Sequence, residues 1–181
     1  MTEGKGKPKH SSFWANIFKM PSPTSELEKI LSDMPPFKHL DNNEISSLMS
    51  IIHNRHFVTG EYIFYQSDPG IGLYIIQEGE VVIERTSENG SVYNLAELSI
   101  GDFFGELALI DGDKRSGSAK AVTDCKLGVI FKPDFDGFID KYPKQGINIL
   151  RGVSQILTTR LRKLNQDYLS LLDQQNKIME E

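Results

Sequence analysis

The chain has 181 residues, a formal net charge of −5, 39% hydrophobic and 25% charged residues, and a single cysteine. That length holds one domain with appendages, and the acidic balance argues against a nucleic-acid binder, whose footprint is a basic patch. One cysteine excludes an intrachain disulfide and suits a reducing compartment, and no apolar run approaches the ~20 residues of a membrane-spanning helix, so the expected location is cytoplasmic.

Residues 1–24 read as a tail. MTEGKGKPKHSS is polar and lysine-bearing, and PSPTS closes the segment with prolines and hydroxyls. Between them, FWANIFKM sets Phe13, Trp14, Ile17, Phe18 and Met20 at near-helical spacing. An amphipathic turn beside lysines is suited to docking on a membrane surface or on a partner protein. Membrane docking would make the protein peripheral to the membrane. The bland reading is that the segment folds back on its own domain.

From Thr24 to Leu31 the sequence predicts a short helix, ended by Met-Pro-Pro because proline disfavours helix at the residue before it. DNNEISSLMSII predicts a second helix, with Asp41 as N-cap, Glu44 three residues on, and Ile45, Leu48, Met49 and Ile52 along one face. His53 and His56 are spaced to share a helix face. No third ligand accompanies them, so they do not predict a metal site.

The character changes at residue 56. Turn signals fall at Gly60, Asp68-Pro69-Gly70, Gly79, Asn89-Gly90, Gly101-Asp102 and Gly112. Between and beyond them lie the β-prone segments YIFYQ, LYIIQE, EVVIER, VYNLAEL, SAKAV and KLGVIF. Evenly spaced short strands with glycine turns predict a sandwich or barrel. ELALID interrupts them with a helical turn, and Cys125, in an apolar stretch, reads as a small buried residue. After Pro133 the helical pattern returns: DFDGFIDKY as a short helix, then one long helix from about Lys144 to Ile178. Along it Leu161, Leu164, Tyr168, Leu171, Gln175 and Ile178 form a heptad seam. The seam finds no partner in the chain, which predicts a homodimer through parallel C-terminal helices.

The stretch GDFFGELALIDGDKRSGSAKA, from Gly101 to Ala121, sets one arginine among small residues behind a lone glutamate. Gly105 followed by Glu106-Leu107-Ala108 begins a helical turn straight after a strand, and free N–H groups at such a helix end favour an anion. Arg115 reaches the same place if the segment loops back, and an arginine grips a phosphate through two hydrogen bonds. Gly117 lets backbone N–H groups approach closely, and Ser116 and Ser118 add hydroxyl donors. Glu106 is acceptor-only, which suits a sugar hydroxyl beside that phosphate. Phosphate and ribose together point to a nucleotide. No serine or cysteine nucleophile pairs with a base by spacing, and no glycine loop reads as a Walker P-loop. Neither a catalytic residue nor a metal ligand is predicted.

FGELALIDGDKRSGSAKA resembles the phosphate-binding cassette of the cyclic-nucleotide-binding domain family, shared by the catabolite activator protein and protein kinase A regulatory subunits. GEYIFYQSDPGIGLYIIQEGEVVI resembles the family's earlier strands, and the likeness spans roughly residues 25–165. Lys114 stands where the family often has proline, and Gly117 where alanine is common; neither change removes a ligand group. The resemblance implies an antiparallel, jelly-roll-like β-roll, mainly β with flanking helices, followed by a long C-terminal helix. Residues 1–24 would be a tail, 25–143 the roll with its N-terminal helices, and 144–181 a lid and dimerisation helix. By position, Glu106 would bind the ribose 2′-hydroxyl and Arg115 the cyclic phosphate. Gly105, Leu107, Ser116 and Gly117 would supply backbone or hydroxyl contacts, and Ser118 the contact that reads a guanine amino group.

The expected function is therefore a stand-alone sensor that binds cyclic AMP or cyclic GMP, needs no cofactor beyond that ligand, and is not an enzyme. One rival is a transcription factor of the same family, which places a helix-turn-helix after the long helix. Here the chain stops at Glu181, so the expectation is no DNA binding. A second rival is a ligand-free adaptor docking through the tail and the C-terminal helix, and the intact Glu106/Arg115 pair argues against it.

Overall fold

Local signals set the N-terminal helices. The computed structural model, which describes residues 23–180, begins with α1 over Pro23–Asp33, ending just before Pro35-Pro36. The expectations for residues 1–22 lie outside the described residues. Helix α2 spans Asn42–Met49 behind the capping box that its sequence predicts. The Asp41 carboxylate accepts from the N–H groups of Asn43 and Glu44, each at 2.9 Å, and the Glu44 carboxylate accepts from the Asp41 N–H at 2.8 Å. Three backbone donors at the helix start are thereby satisfied.

Eight strands follow: β1 Ile52–Phe57, β2 Tyr62–Phe64, β3 Gly72–Glu78, β4 Val81–Thr86, β5 Val92–Leu98, β6 Phe103–Phe104, β7 Ser118–Ala121 and β8 Cys125–Phe131. The one-turn helix α3, Leu107–Ile110, sits between β6 and β7, α4 covers Lys132–Lys141, and α5 runs over Pro143–Glu180. All pairings are antiparallel, in two four-stranded sheets ordered β1-β8-β3-β6 and β2-β7-β4-β5. This is the expected β-roll with its long C-terminal helix.

The helical reading of Ile52 and of the two histidines is corrected. Residues 52–57 form a strand paired with β8 from Ile52↔Ile130 to Phe57↔Cys125. The helix face of α2 runs straight into this strand without a glycine or proline to mark the change, and long-range pairing decides the conformation. Three residues apart on a strand, His53 and His56 point to opposite faces. His53 Nε2 lies 3.0 Å from Asp134 Oδ2 at the start of α4.

Strand β3 explains why LYII is an unbroken apolar run. Tyr74 and Ile76 face the space between the sheets, with Val81, Phe104, Ala119, Ala121, Cys125, Leu127 and Val129. Leu73 and Ile75 face the other way, into a helical layer built from α1, α2, α4 and α5. A strand buried on both faces has no polar alternation to show. Cys125 is buried as expected, and burial pushes its thiol pKa up.

Helix α5 crosses the Pro35-Pro36 turn at Gly152, where a Cβ would lie 2.4 Å from the Pro36 Cα. Its first turns bury Ile149 and Val153 in the helical layer. Farther along, Leu161, Leu164, Tyr168 and Leu171 are 57–64% exposed.

Candidate functional site

Two loops are stitched together to make the site. The segment after β2 runs beside the segment before β7: the Ser67 N–H donates to the Arg115 carbonyl at 2.9 Å, Arg115 N–H to Asp68 at 2.8 Å, and Gly70 N–H to Asp113 at 3.1 Å. Gly70 is demanded by this approach, since a Cβ there would stand 2.3 Å from the Asp113 carbonyl oxygen. Asp68 Oδ2 accepts from the Tyr65 N–H at 2.8 Å and closes the turn. Ser67, at φ 71, holds a left-handed backbone that non-glycine residues rarely adopt. The Asp68-Pro69-Gly70 turn thus fixes the backbone from which Arg115 projects.

Arg115 is 6% exposed. Its Nη1 donates to the Gly105 carbonyl at 3.0 Å and its Nη2 to the Gly72 carbonyl at 2.8 Å. The guanidinium lies 4.2 Å from the Phe64 ring centroid and 5.5 Å from that of Tyr74. Phe64, Tyr74 and Phe104 pack against one another with centroids 5.2–5.9 Å apart, so the cation rests on an aromatic shelf. Burial lowers the Arg115 pKa from its ordinary value, while Tyr74, Glu106 and Asp68 oppose that shift. Arginine stays charged nonetheless. Its Nε has no hydrogen-bond partner, and among the described residues it is the only buried side-chain polar atom of which that is true. A cleft of about 310 Å³ opens here, walled by Ile63, Phe64, Pro69, Ile71 and Tyr74 with Asp68 and Arg115.

Gly105 is held at φ +74, and a Cβ on it would meet Arg115 Nη1 at 2.6 Å. Glu106 follows, 6% exposed, but its carboxylate is engaged: Arg160 of α5 donates to it at 2.7 Å through Nη1 and to the Phe103 carbonyl at 3.1 Å through Nη2. The same guanidinium lies 5.4 Å from the Phe103 ring. Sequence reasoning missed Arg160. It lies 54 residues from Glu106 and one place before the seam, where the pattern on the helix drew attention to the leucines.

The remaining predicted residues are dispersed around this pair. Gly117 presses on β4, where a Cβ would be 2.7 Å from the Glu84 carbonyl oxygen. The Ser118 hydroxyl accepts from the Gln66 N–H at 2.8 Å, which leaves its own hydrogen free to donate. Ser116 is exposed, and Leu107 lies half-exposed on α3. Within α3 the N–H groups of Ala108 and Leu109 already donate to Gly105 and Glu106, so the helix end offers fewer free donors than its sequence suggests. The charge for an anion comes from Arg115. Among the described residues no group of three or more His, Cys, Asp or Glu side chains is placed to hold a metal. No helix among them is long and apolar enough to cross a membrane.

Comparison with known proteins adds the following. The family profile described as cyclic nucleotide-binding domain matches residues 54–142. The cyclic AMP receptor protein of Thermus thermophilus is 35% identical over 80% of this chain and 66% of its own length. A CRP-like cAMP-activated global transcriptional regulator of Mycobacterium tuberculosis is 27% identical over 81% of this chain and 63% of its own. The crystal structure of the N-terminal domain of a transcriptional regulator from Streptomyces coelicolor superposes with a TM-score of 0.66 at 31% identity, covering 76% of this chain and 95% of that one. The chain thus spans two thirds or less of the length of the curated relatives it matches, down to 36% for one of them. These findings correct the expectation of no DNA binding. That expectation rested on the sequence stopping after the long helix, whereas relatives of this chain are transcriptional regulators in which the matching part is one portion of a longer protein.

Proposed function

The chain belongs to the cyclic nucleotide-binding domain family, and on that premise we propose that it is a cytoplasmic sensor that binds cyclic AMP or cyclic GMP in the Arg115 cleft and answers by repositioning α5. The observation that carries this reading is the unpartnered Arg115 Nε. A guanidinium with two terminal nitrogens anchored on carbonyls, and a third donor left without an acceptor, is preorganised for an anion arriving from the cleft. The cyclic phosphate takes Nε and the hydrogens that Nη1 and Nη2 do not spend on Gly105 and Gly72. Gly105, Leu107, Ser116 and Gly117 supply the surrounding backbone and hydroxyl contacts. The ligand acts as a signal and is not consumed, so no catalytic group is assigned.

Glu106 links the ligand to the helix. A ribose 2′-hydroxyl donating to its carboxylate meets the group that Arg160 already holds, so ligand occupancy and the seating of α5 depend on one another. A change in α5 follows if the nucleotide binds the two seatings with different affinity. Glu106→Gln keeps an acceptor oxygen but loses the charge, and we expect it to weaken ribonucleotides more than their 2′-deoxy analogues. Calorimetric titration of both analogues into both proteins checks this, and equal losses would take Glu106 out of the ribose contact.

Ser118 adds one neutral hydrogen bond to guanine, worth about 0.5–1.5 kcal/mol. That is a few-fold in affinity, so cyclic AMP and cyclic GMP should both bind. Calorimetry with the two nucleotides tests the whole proposal: no binding of either at millimolar concentration would end it, and a preference beyond about a hundredfold, ~2.8 kcal/mol, would remove Ser118 as the discriminating group.

Residues 144–181 serve in this reading as lid and dimerisation helix. The exposed stripe of Leu161, Leu164, Tyr168 and Leu171 is apolar surface that a parallel partner helix would bury. Sedimentation equilibrium should give a dimer for the unmodified chain, and a folded monomer for Leu164→Glu with Leu171→Glu. An unmodified chain that stays monomeric at tens of micromolar, with and without nucleotide, would defeat the dimer.

A further inference from the structure

A groove larger than the Arg115 cleft, about 510 Å³, lies between α2 and α4. Ile51, Pro133 and Phe138 give it an apolar floor, Asp134 stands at one end and Lys141 at the other. The two charges are seven residues apart on α4, about 10 Å along its axis. Gly137 lies between them, and a Cβ there would meet nothing within 4 Å. Glycine inside a helix costs about 1 kcal/mol relative to alanine, and no neighbour requires it at this position. Its effect is to keep the groove open.

The chain itself supplies a segment of matching chemistry. FWANIFKM concentrates five apolar side chains, including the only tryptophan. Four lysines against one glutamate give residues 1–22 a net charge of +3, which leaves −8 on residues 23–181 out of the total of −5. The basic segment is therefore attracted to the body that follows it. Trp14 stands nine residues before Pro23, a reach of up to ~30 Å, against a radius of gyration near ~15 Å for a body of this size. Lys19 complements Asp134 and is repelled by Lys141, which sets the direction of docking.

We propose that residues 13–20 dock in cis into the α2–α4 groove, apolar side chains over Ile51, Pro133 and Phe138 and Lys19 at the Asp134 end. The docked segment braces α4, the helix that joins the roll to α5. The proposal does not depend on nucleotide binding.

Trp14 fluorescence tests it directly, because no other tryptophan contributes. In lipid-free buffer, the full chain should emit to the blue of a synthetic peptide of residues 1–22 and resist acrylamide quenching, at every protein concentration. Gly137→Leu fills the groove with a stronger helix former, so the fold is kept, and its Trp14 emission should shift to the red, to the position of the peptide's. Lys19→Glu should shift emission the same way, and adding Asp134→Lys should restore the blue position, a coupling that only a direct pair produces. The proposal is overturned if the unmodified chain and the peptide emit alike. It is overturned equally if the blue emission survives Gly137→Leu, or grows with protein concentration as docking on a second copy would require.

Discussion

Arg115→Ala binds cyclic AMP at least about a hundredfold more weakly than the unmodified chain: this is the largest effect the site predicts. Removing one partner of a buried charge pair costs roughly 3–5 kcal/mol, and each ~1.4 kcal/mol is tenfold in affinity. Beyond the proposed phosphate contact, the terminal nitrogens of Arg115 tie the Gly72 and Gly105 carbonyls together. Alanine leaves those acceptors unmet, at about 1–3 kcal/mol for each one that stays buried. Stability therefore falls as well, and binding has to be measured well below the variant's melting temperature. Arg115→Lys separates the two roles. It keeps the positive charge but loses the planar fork, so it should recover part of the lost stability and little of the affinity. A folded Arg115→Ala chain that binds cyclic AMP within about threefold of the original, ~0.7 kcal/mol, would show that the phosphate goes elsewhere.

Gly105→Ala is the second large effect, and it acts without removing or adding a charge. The backbone at φ +74 costs an L-residue about 1–2 kcal/mol. The new Cβ would also stand 2.6 Å from Arg115 Nη1 and 3.1 Å from the Gly72 carbonyl oxygen. Such overpacking adds about 1–3 kcal/mol. Relief comes most easily by pushing the guanidinium off its two carbonyls, which would disturb the proposed phosphate contact. Denaturant unfolding should show a loss of about 2–5 kcal/mol, the sum of those two terms, and cyclic AMP affinity should fall with it. Gly90 is the control: its φ is also positive (+85), but a Cβ there would have open space around it. Gly90→Ala should lose only the backbone part, about 1–2 kcal/mol, and leave affinity unchanged. Equal stability losses for the two variants would mean that the contact with Arg115 is not tight.

Some of this protein is written in short stretches of its sequence. The Asp41/Glu44 capping box, the glycine turns, the apolar runs of β3 and β8 and the long helix of α5 all arise from residues within a few places of one another. Local backbone preference and hydrophobic spacing suffice for them. The same holds for the cassette residues as a set: an arginine among small residues behind Gly105-Glu106 is a pattern that few other demands would produce.

Other features came only from contacts between distant residues. Ile52–Phe57 carries no local strand signal stronger than the helix before it, and pairing with β8 decides it. Glu106 reads as a free acceptor until α5 brings Arg160 across 54 residues to within 2.7 Å. The shelf of Phe64, Tyr74 and Phe104 beneath Arg115 joins β2, β3 and β6, and the groove between α2 and α4 exists only once both helices pack on the roll. Composition and spacing determined which side chains are donors, acceptors or charged, because that chemistry is a property of each side chain. Which of them already has a partner, and how far each is buried, was decided by the tertiary structure, since charge, desolvation and hydrogen bonding depend on neighbours that chain order does not reveal.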